Sequence, residues 1–343
     1  MSVPERKRVL YFDVMNVLAC ISMLVLHHNS QVHSFSDSPR WVFSLVIECL
    51  FYAAVPLFLM VSGATLMGFH KKYGLGTYLK KRALRAVIPW FLWSIILLIW
   101  KVNTNQITIE GDWFLGSLRL IFTNKVESSY WFFTTLFYCY LLIPILTYLT
   151  EHRTVLWYMI IWVFLVCSLQ PVVVLWFPIN QSTFGGPRDG QVIYILLGYL
   201  LNDMRLTKKQ RLGIYVLGIF SLLFHFLLRY TMSCQLGEAY TAIKGYRYAH
   251  SVLYSCAVFV FLKHINWEKW VPGIMQKWLP RLASYSFGVY LIHKIVMYYL
   301  RDFTRLRISS YLWKTIYVPI TYLICIAMIA LLKQIPVVKK YVC

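Results

Sequence analysis

Charge is scarce in this chain: 14% of its 343 residues are Asp, Glu, Lys or Arg, where a soluble domain carries about 25%. With 59% hydrophobic and 17% aromatic residues and a mean hydropathy of +0.60, an ordinary soluble domain is excluded. Such a domain needs polar faces, and long stretches here have none. No two cysteines are spaced Cys-x-x-Cys, and most of the eight (Cys20, Cys49, Cys139, Cys167, Cys234, Cys256, Cys325, Cys343) fall in apolar runs. That argues against a bound metal or a disulfide framework and for small buried hydrophobes. No nucleic-acid motif accompanies the net charge of +21. The basic residues stand in short clusters between apolar runs, as topology determinants and lipid-headgroup contacts do. No small-residue cleavage site follows the basic residues 1–8, so the first apolar run reads as a retained helix and not a signal peptide. No internal repeat is visible, and the inverted-repeat signature of many transporters is missing.

What is present is a series of apolar runs near the length a helix needs to cross a hydrocarbon core, about 20 residues. They lie near 9–30, 42–68, 83–101, 130–149, 154–176, 190–203, 212–230, 248–264, 284–301 and 311–333. Ten runs predict an all-α, polytopic transmembrane bundle forming one domain over 1–343. Alternate loops differ nearly two to one in Lys and Arg, which predicts both termini in the cytoplasm. The loop 102–129 carries Trp113, Phe114, Leu118, Leu120 and Ile121, a pattern for a helix lying on the membrane surface.

Ionisable groups inside spans are costly, so each is a functional candidate. Asp13, His27 and His28 lie on the first run, Glu48 on the second, His225 on the seventh and His293 on the ninth. The topology puts His27 and Glu48 in the outer third of adjacent helices, Glu48 about 9 Å down at 1.5 Å per residue. A histidine oriented by a carboxylate is what general-base chemistry requires. Consecutive side chains diverge on a helix, so only one of His27 and His28 can face such a site, and His27 is the better candidate. A wetted interfacial histidine and a hydrogen-bonded Glu48 would fit the same spacing. His293, near the midplane, should face a cavity or a polar partner. His225, among Leu and Phe, reads as structural.

The cluster Lys80-Lys81-Arg82-Ala83-Leu84-Arg85 opens the third run. Arg82 and Arg85, three apart, are expected on one helix face, where paired guanidinium groups suit a phosphorylated ligand. Simple positive-inside anchoring would produce the same cluster.

These residues also carry a resemblance. Asp13 to Cys20 leading to His27, Val55-Pro56-Leu57-Phe58-Leu59-Met60-Val61-Ser62-Gly63, Arg82-x-x-Arg85 followed by Pro89, Trp131-Phe132-Phe133 running to Pro144, and Ser286 to His293 together resemble acyltransferase family 3. These are integral-membrane O-acetyltransferases of bacterial surface polysaccharides. Asn16 stands where the family usually has Arg, and Ser129 where a His often precedes the Trp by two. The resemblance implies an O-acyltransferase in the bacterial cytoplasmic (inner) membrane, among membrane lipids. It would take acetyl or another short acyl group from acyl-CoA and pass it to a cell-surface or lipid-linked glycan. It implies Arg82, Arg85, Asp13 and Asn16 at the donor and His27, Glu48 and His293 at the chemistry. A transporter or flippase for a lipid-linked sugar or organic acid would also use ten spans with intramembrane His and Glu. A non-catalytic partner is the third reading, and Asn16 keeps it open.

Overall fold

The computed structural model describes residues 9–174, 176, 190–336 and 338. The basic residues Arg6, Lys7, Arg8, Arg188, Lys339 and Lys340 used for topology, and Cys343, lie outside them. The described residues contain helices and no strand. In order, the α-helices are α1 (Leu10–His28), α2 (Pro39–Phe51), α3 (Ala54–Leu66), α4 (Leu75–Arg82), α5 (Ile88–Asn103), α6 (Trp113–Phe122), α7 (Trp131–Leu146) and α8 (Arg153–Val163). They continue as α9 (Gln170–Val173), α10 (Val192–Asp203), α11 (Lys208–Leu236), α12 (Ala249–His264), α13 (Trp267–Trp270), α14 (Gly273–Thr304), α15 (Tyr311–Lys314) and α16 (Tyr317–Leu332).

Helix ends follow local chemistry. Ser38 caps α2 by accepting the Trp41 amide, with Pro39 in the first turn. Thr207 and Gln210 form a capping box at α11, which stops at Gly237 in the left-handed conformation (φ 70°).

Six stretches are long and apolar enough to cross a membrane: Leu10–His28, Pro39–Lys71, Leu75–Asn103, Ser128–Thr150, Arg153–Val173 and Lys208–Leu236. Each of the ten apolar runs is mainly helical among the described residues, but 190–203, 248–264, 284–301 and 311–333 are not among these six stretches. The run 42–68 is broken between α2 and α3, and 311–333 is split into α15 and α16. At 12 residues, α10 reaches about 18 Å, short of a hydrocarbon core of about 30 Å. Within 102–129 a helix forms as α6, with Trp113, Phe114, Leu115 and Phe122 exposed.

The distribution of polarity is inverted relative to a soluble bundle. The buried residues of α11 are Gly218, Ser221, His225, Arg229 and Ser233, while Leu212, Val216, Leu217, Phe220, Leu223 and Leu227 are exposed. A helix with small and polar residues inside and leucines outside is built for lipid.

At the centre, α1 packs against α3, α14 and α16. The tightest junction joins α3 to α10. A Cβ on Gly63 would sit 2.0 Å from the Ile195 carbonyl oxygen, and one on Gly198 would sit 2.1 Å from that of Met60. Only glycine permits that approach, the small-residue packing that replaces hydrophobic driving force in a bilayer.

Candidate active site

The last turn of α1 divides the work between its two histidines. His28 is buried, with Nδ1 2.9 Å from the Trp313 carbonyl and Nε2 3.0 Å from Thr321 Oγ1. Both of its nitrogens are committed, so it ties α1 to α15 and α16. His27, turned about 100° away, is half-buried and lines two cavities at once. Among the described residues no other side chain is shared by the two.

The first cavity, about 380 Å³, is walled by His27, Asn29, Glu48, Tyr52, Trp131 and Tyr246, among others. Tyr246 stacks on Trp131 (5.7 Å between ring centroids, 15° between planes) and on Tyr52 (4.8 Å, 29°). The Tyr52 hydroxyl accepts the Gly245 amide at 2.6 Å, which fixes the loop carrying Tyr246. Glu48, as expected, shares this cavity with His27. Its carboxylate, however, is held by Arg229 on α11 at 2.9 Å, both side chains being buried. The ring packed on His27 is that of His293, at 4.8 Å.

His293 does not itself line either cavity; it backs His27 and is fully buried. Its Nδ1 is 2.7 Å from the Tyr290 carbonyl. A carbonyl only accepts, so Nδ1 carries a hydrogen, and Nε2 has no hydrogen-bond partner among the described residues. The backbone around it is clamped to the start of α7. The Tyr290 hydroxyl donates to the Ser129 carbonyl at 2.7 Å, and the Tyr130 hydroxyl donates to the Leu291 carbonyl at 2.8 Å. His225 is buried, as expected, but against Tyr52 (4.7 Å) and His250 (4.5 Å) and not apolar side chains alone.

The second cavity, about 210 Å³, includes His27, Lys101, Glu127, Lys294, Arg301 and Trp313 in its wall. Glu127 Oε1 accepts the Ser129 amide (3.1 Å) and hydroxyl (2.9 Å), and Oε2 pairs with Lys101 at 3.2 Å. Burial works against the ionised Glu127, but the ammonium groups of Lys101 and Lys294 and the Ser129 hydrogen bonds outweigh it. Its carboxyl is held below the ordinary value of 4.5.

A third cavity of about 170 Å³ lies further along α1, lined by Asn16, Ser62, Phe132, Tyr140, Ser286 and Tyr290 among others. The Arg82 guanidinium stands over the rings of Tyr140 (5.4 Å) and Tyr78 (5.8 Å), and its Nε is buried without a partner. Arg85 does not share that face. The chain winds as a π turn over Ala83–Val87, which carries Arg85 to the exposed surface. Asp13, one turn before Asn16, is buried and lines none of the three cavities.

Sequence reasoning passed over Arg229, Glu127, Lys101 and Lys294. Arg229 was findable: Ser221, His225, Arg229 and Ser233 recur every four residues through an apolar helix. Lys294 was too, as an ionisable group inside an apolar run.

An all-helical bundle with an apolar exterior, six stretches able to cross a membrane and two polar cavities meeting at His27 defines a class of multi-pass integral-membrane protein. Residues 9–332 match the acyltransferase domain that defines acyltransferase family 3, and the chain belongs to that family. Membership supports membrane acyl transfer as its activity. Neither the curated proteins nor the solved structures searched contain a match.

Proposed function

We propose that this chain moves an acetyl or other short acyl group from cytoplasmic acyl-CoA to a hydroxyl of a cell-surface or lipid-linked glycan. The observation that carries this reading is the position of His27, among the described residues the one side chain common to two polar cavities, and linked inward through His293 and Tyr290 to a third. In this reading the ten apolar segments cross a bacterial inner membrane with both termini cytoplasmic. Arg82 binds a CoA phosphate at the inner mouth, with Arg85 at its exposed rim. The pantetheine arm follows Asn16, Ser62 and Ser286 towards Tyr290, a route of about 16 Å from Asn16 to His27 along α1.

The acceptor sugar stacks on the Trp131–Tyr246 face in the first cavity. An imidazole nitrogen of His27 takes the proton of its hydroxyl as the oxygen attacks the thioester carbonyl. Collapse of the tetrahedral intermediate breaks the carbon–sulfur bond, and the imidazolium returns its proton to the departing CoA thiolate. Ester and free thiol are the products. His293 fixes the ring of His27 from behind, and Glu48, tethered to Arg229, sets the charge of the cavity wall.

The test is release of free CoA by purified protein in nanodiscs with surface glycans present. His27→Ala is expected to lower turnover by about 10²–10⁴, and Arg82→Gln to raise the KM for acyl-CoA. Full turnover by His27→Ala at normal folding would remove the assignment. No CoA release by the wild type with any glycan would favour a transporter.

A further inference from the structure

Resting on that reading, we propose that the acceptor is an anionic glycan. The sugar that receives the acyl group occupies the first cavity, and a phosphate or carboxylate carried by it or by its neighbour is bound in the second by Lys294 and Arg301.

The argument begins with the charges in the second cavity. Its wall holds three cations, Lys101, Lys294 and Arg301, and one carboxylate, Glu127. Both oxygens of Glu127 are already engaged, by Ser129 and by Lys101. Neither Lys294 nor Arg301 forms an ion pair with a carboxylate of the described residues. Lys294 is half-buried, in the turn that carries His293. Such an ammonium feels the Glu127 carboxylate without forming an ion pair with it, and holding it so within a bundle surrounded by lipid is costly, a cost that an anionic ligand offsets. Glu48 on the wall of the first cavity shows the alternative, since it is paired with the buried Arg229, which does not line that cavity.

Position adds the second half. His27 lines both cavities, so a ligand with its reacting hydroxyl at His27 and its ring on Trp131 and Tyr246 extends into the second cavity within about one sugar unit. Trp100, Tyr298 and Trp313 on that wall offer apolar faces to the rest of the sugar. The surplus positive charge is therefore a device for selecting acceptors, placed where it also draws the hydroxyl towards the base.

The experiment uses full-length protein in phosphatidylcholine nanodiscs with acetyl-CoA. Acceptors are supplied in matched pairs: a glucuronate-bearing oligosaccharide with its glucose counterpart, and a sugar phosphate oligosaccharide with its dephosphorylated form. The quantity read is the ratio of kcat/KM, charged to neutral. The expected ratio is ten- to a hundredfold for at least one pair, carried by KM, and K294Q with R301Q brings it towards one. The pair that shows the ratio tells carboxylate from phosphate. Equal transfer to charged and neutral acceptors would overturn the proposal while leaving acyl transfer intact. So would a preference that survives K294Q and R301Q. Nanodiscs containing phosphatidylglycerol leave the ratio unchanged if the site belongs to the acceptor; loss of the ratio there would make it a lipid-headgroup site. Absence of CoA release with every acceptor would strike the underlying reading instead.

Discussion

The two cavities that meet at His27 are made of similar parts and balanced differently. In the first, the Glu48 carboxylate is paired with the buried guanidinium of Arg229, which is not itself on the wall, and Lys244 and an aromatic stack line the same space. In the second, one carboxylate faces three cations, and two of those form no ion pair with a carboxylate of the described residues. A closed pair inside lipid contributes shape and rigidity; an open one leaves affinity to be used by something that arrives. The difference teaches that an ionisable residue in a span has to be read together with its partner, because the residue type alone does not say whether its charge is already spent.

Changes to the shared wall should have the largest effect, and His27→Ala, which removes the base from both cavities, is the extreme case given above. Next comes the closed pair. Arg229→Ala strands Glu48 and is expected to destabilise the protein by about 3–5 kcal/mol, seen as a lower melting temperature in detergent. Replacing both partners, Glu48→Leu with Arg229→Met, should recover most of that loss. If the double variant were no more stable than Arg229→Ala, the pair would not be the self-contained unit described here.

The open cavity should respond in the opposite sense. Lys294→Met removes an unmatched charge and is expected to raise the stability of the ligand-free protein by about 1 kcal/mol; a loss of several would mean that Lys294 has a structural partner. The smallest effect is on pH dependence. The carboxyl of Glu127 is held below 4.5 in the fold, so its stabilising contribution is fully present above that value and is lost as pH falls through the lowered one. Melting temperatures of wild type and Glu127→Gln should differ at pH 7 and converge below pH 4.5. Curves that stay parallel would mean that Glu127 does not carry the charge assigned to it.

Much of the architecture was legible in the sequence because lipid imposes a one-sided rule: apolar runs of sufficient length become helices. Each of the ten runs is mainly helical among the described residues, six stretches are long and apolar enough to cross a membrane, and the helix breaks inside two runs, at Tyr52 and Ala53 and at residues 315–316. His27 was legible because two adjacent histidines cannot face the same way. Its neighbour on α14 was not, because the 4.8 Å contact joins residues 266 positions apart, a separation that no spacing rule covers. The assumption that Arg82 and Arg85 share a face failed for a local reason, the π turn between them. Arg229 was missed because an arginine near the end of an apolar run resembles a loop charge until its period with Ser221 and His225 is noticed.

That π turn sets the phase of everything after it. Residues 75–103 form one continuous helical stretch with Arg82 near its start and Lys101 near its end. Tightened to plain α-helix with every residue of 83–87 kept, the stretch would rotate α5 by about 90° relative to α4, whereas deleting a single residue there would nearly restore the phase. In the tightened form Arg82 could keep its place over Tyr140 only if Lys101 swung away from Glu127, some twenty residues further on. The widened turn is thus the gearing that keeps one helix in step with both faces of the membrane, and its length is under as strict a constraint as any side chain in the cavities.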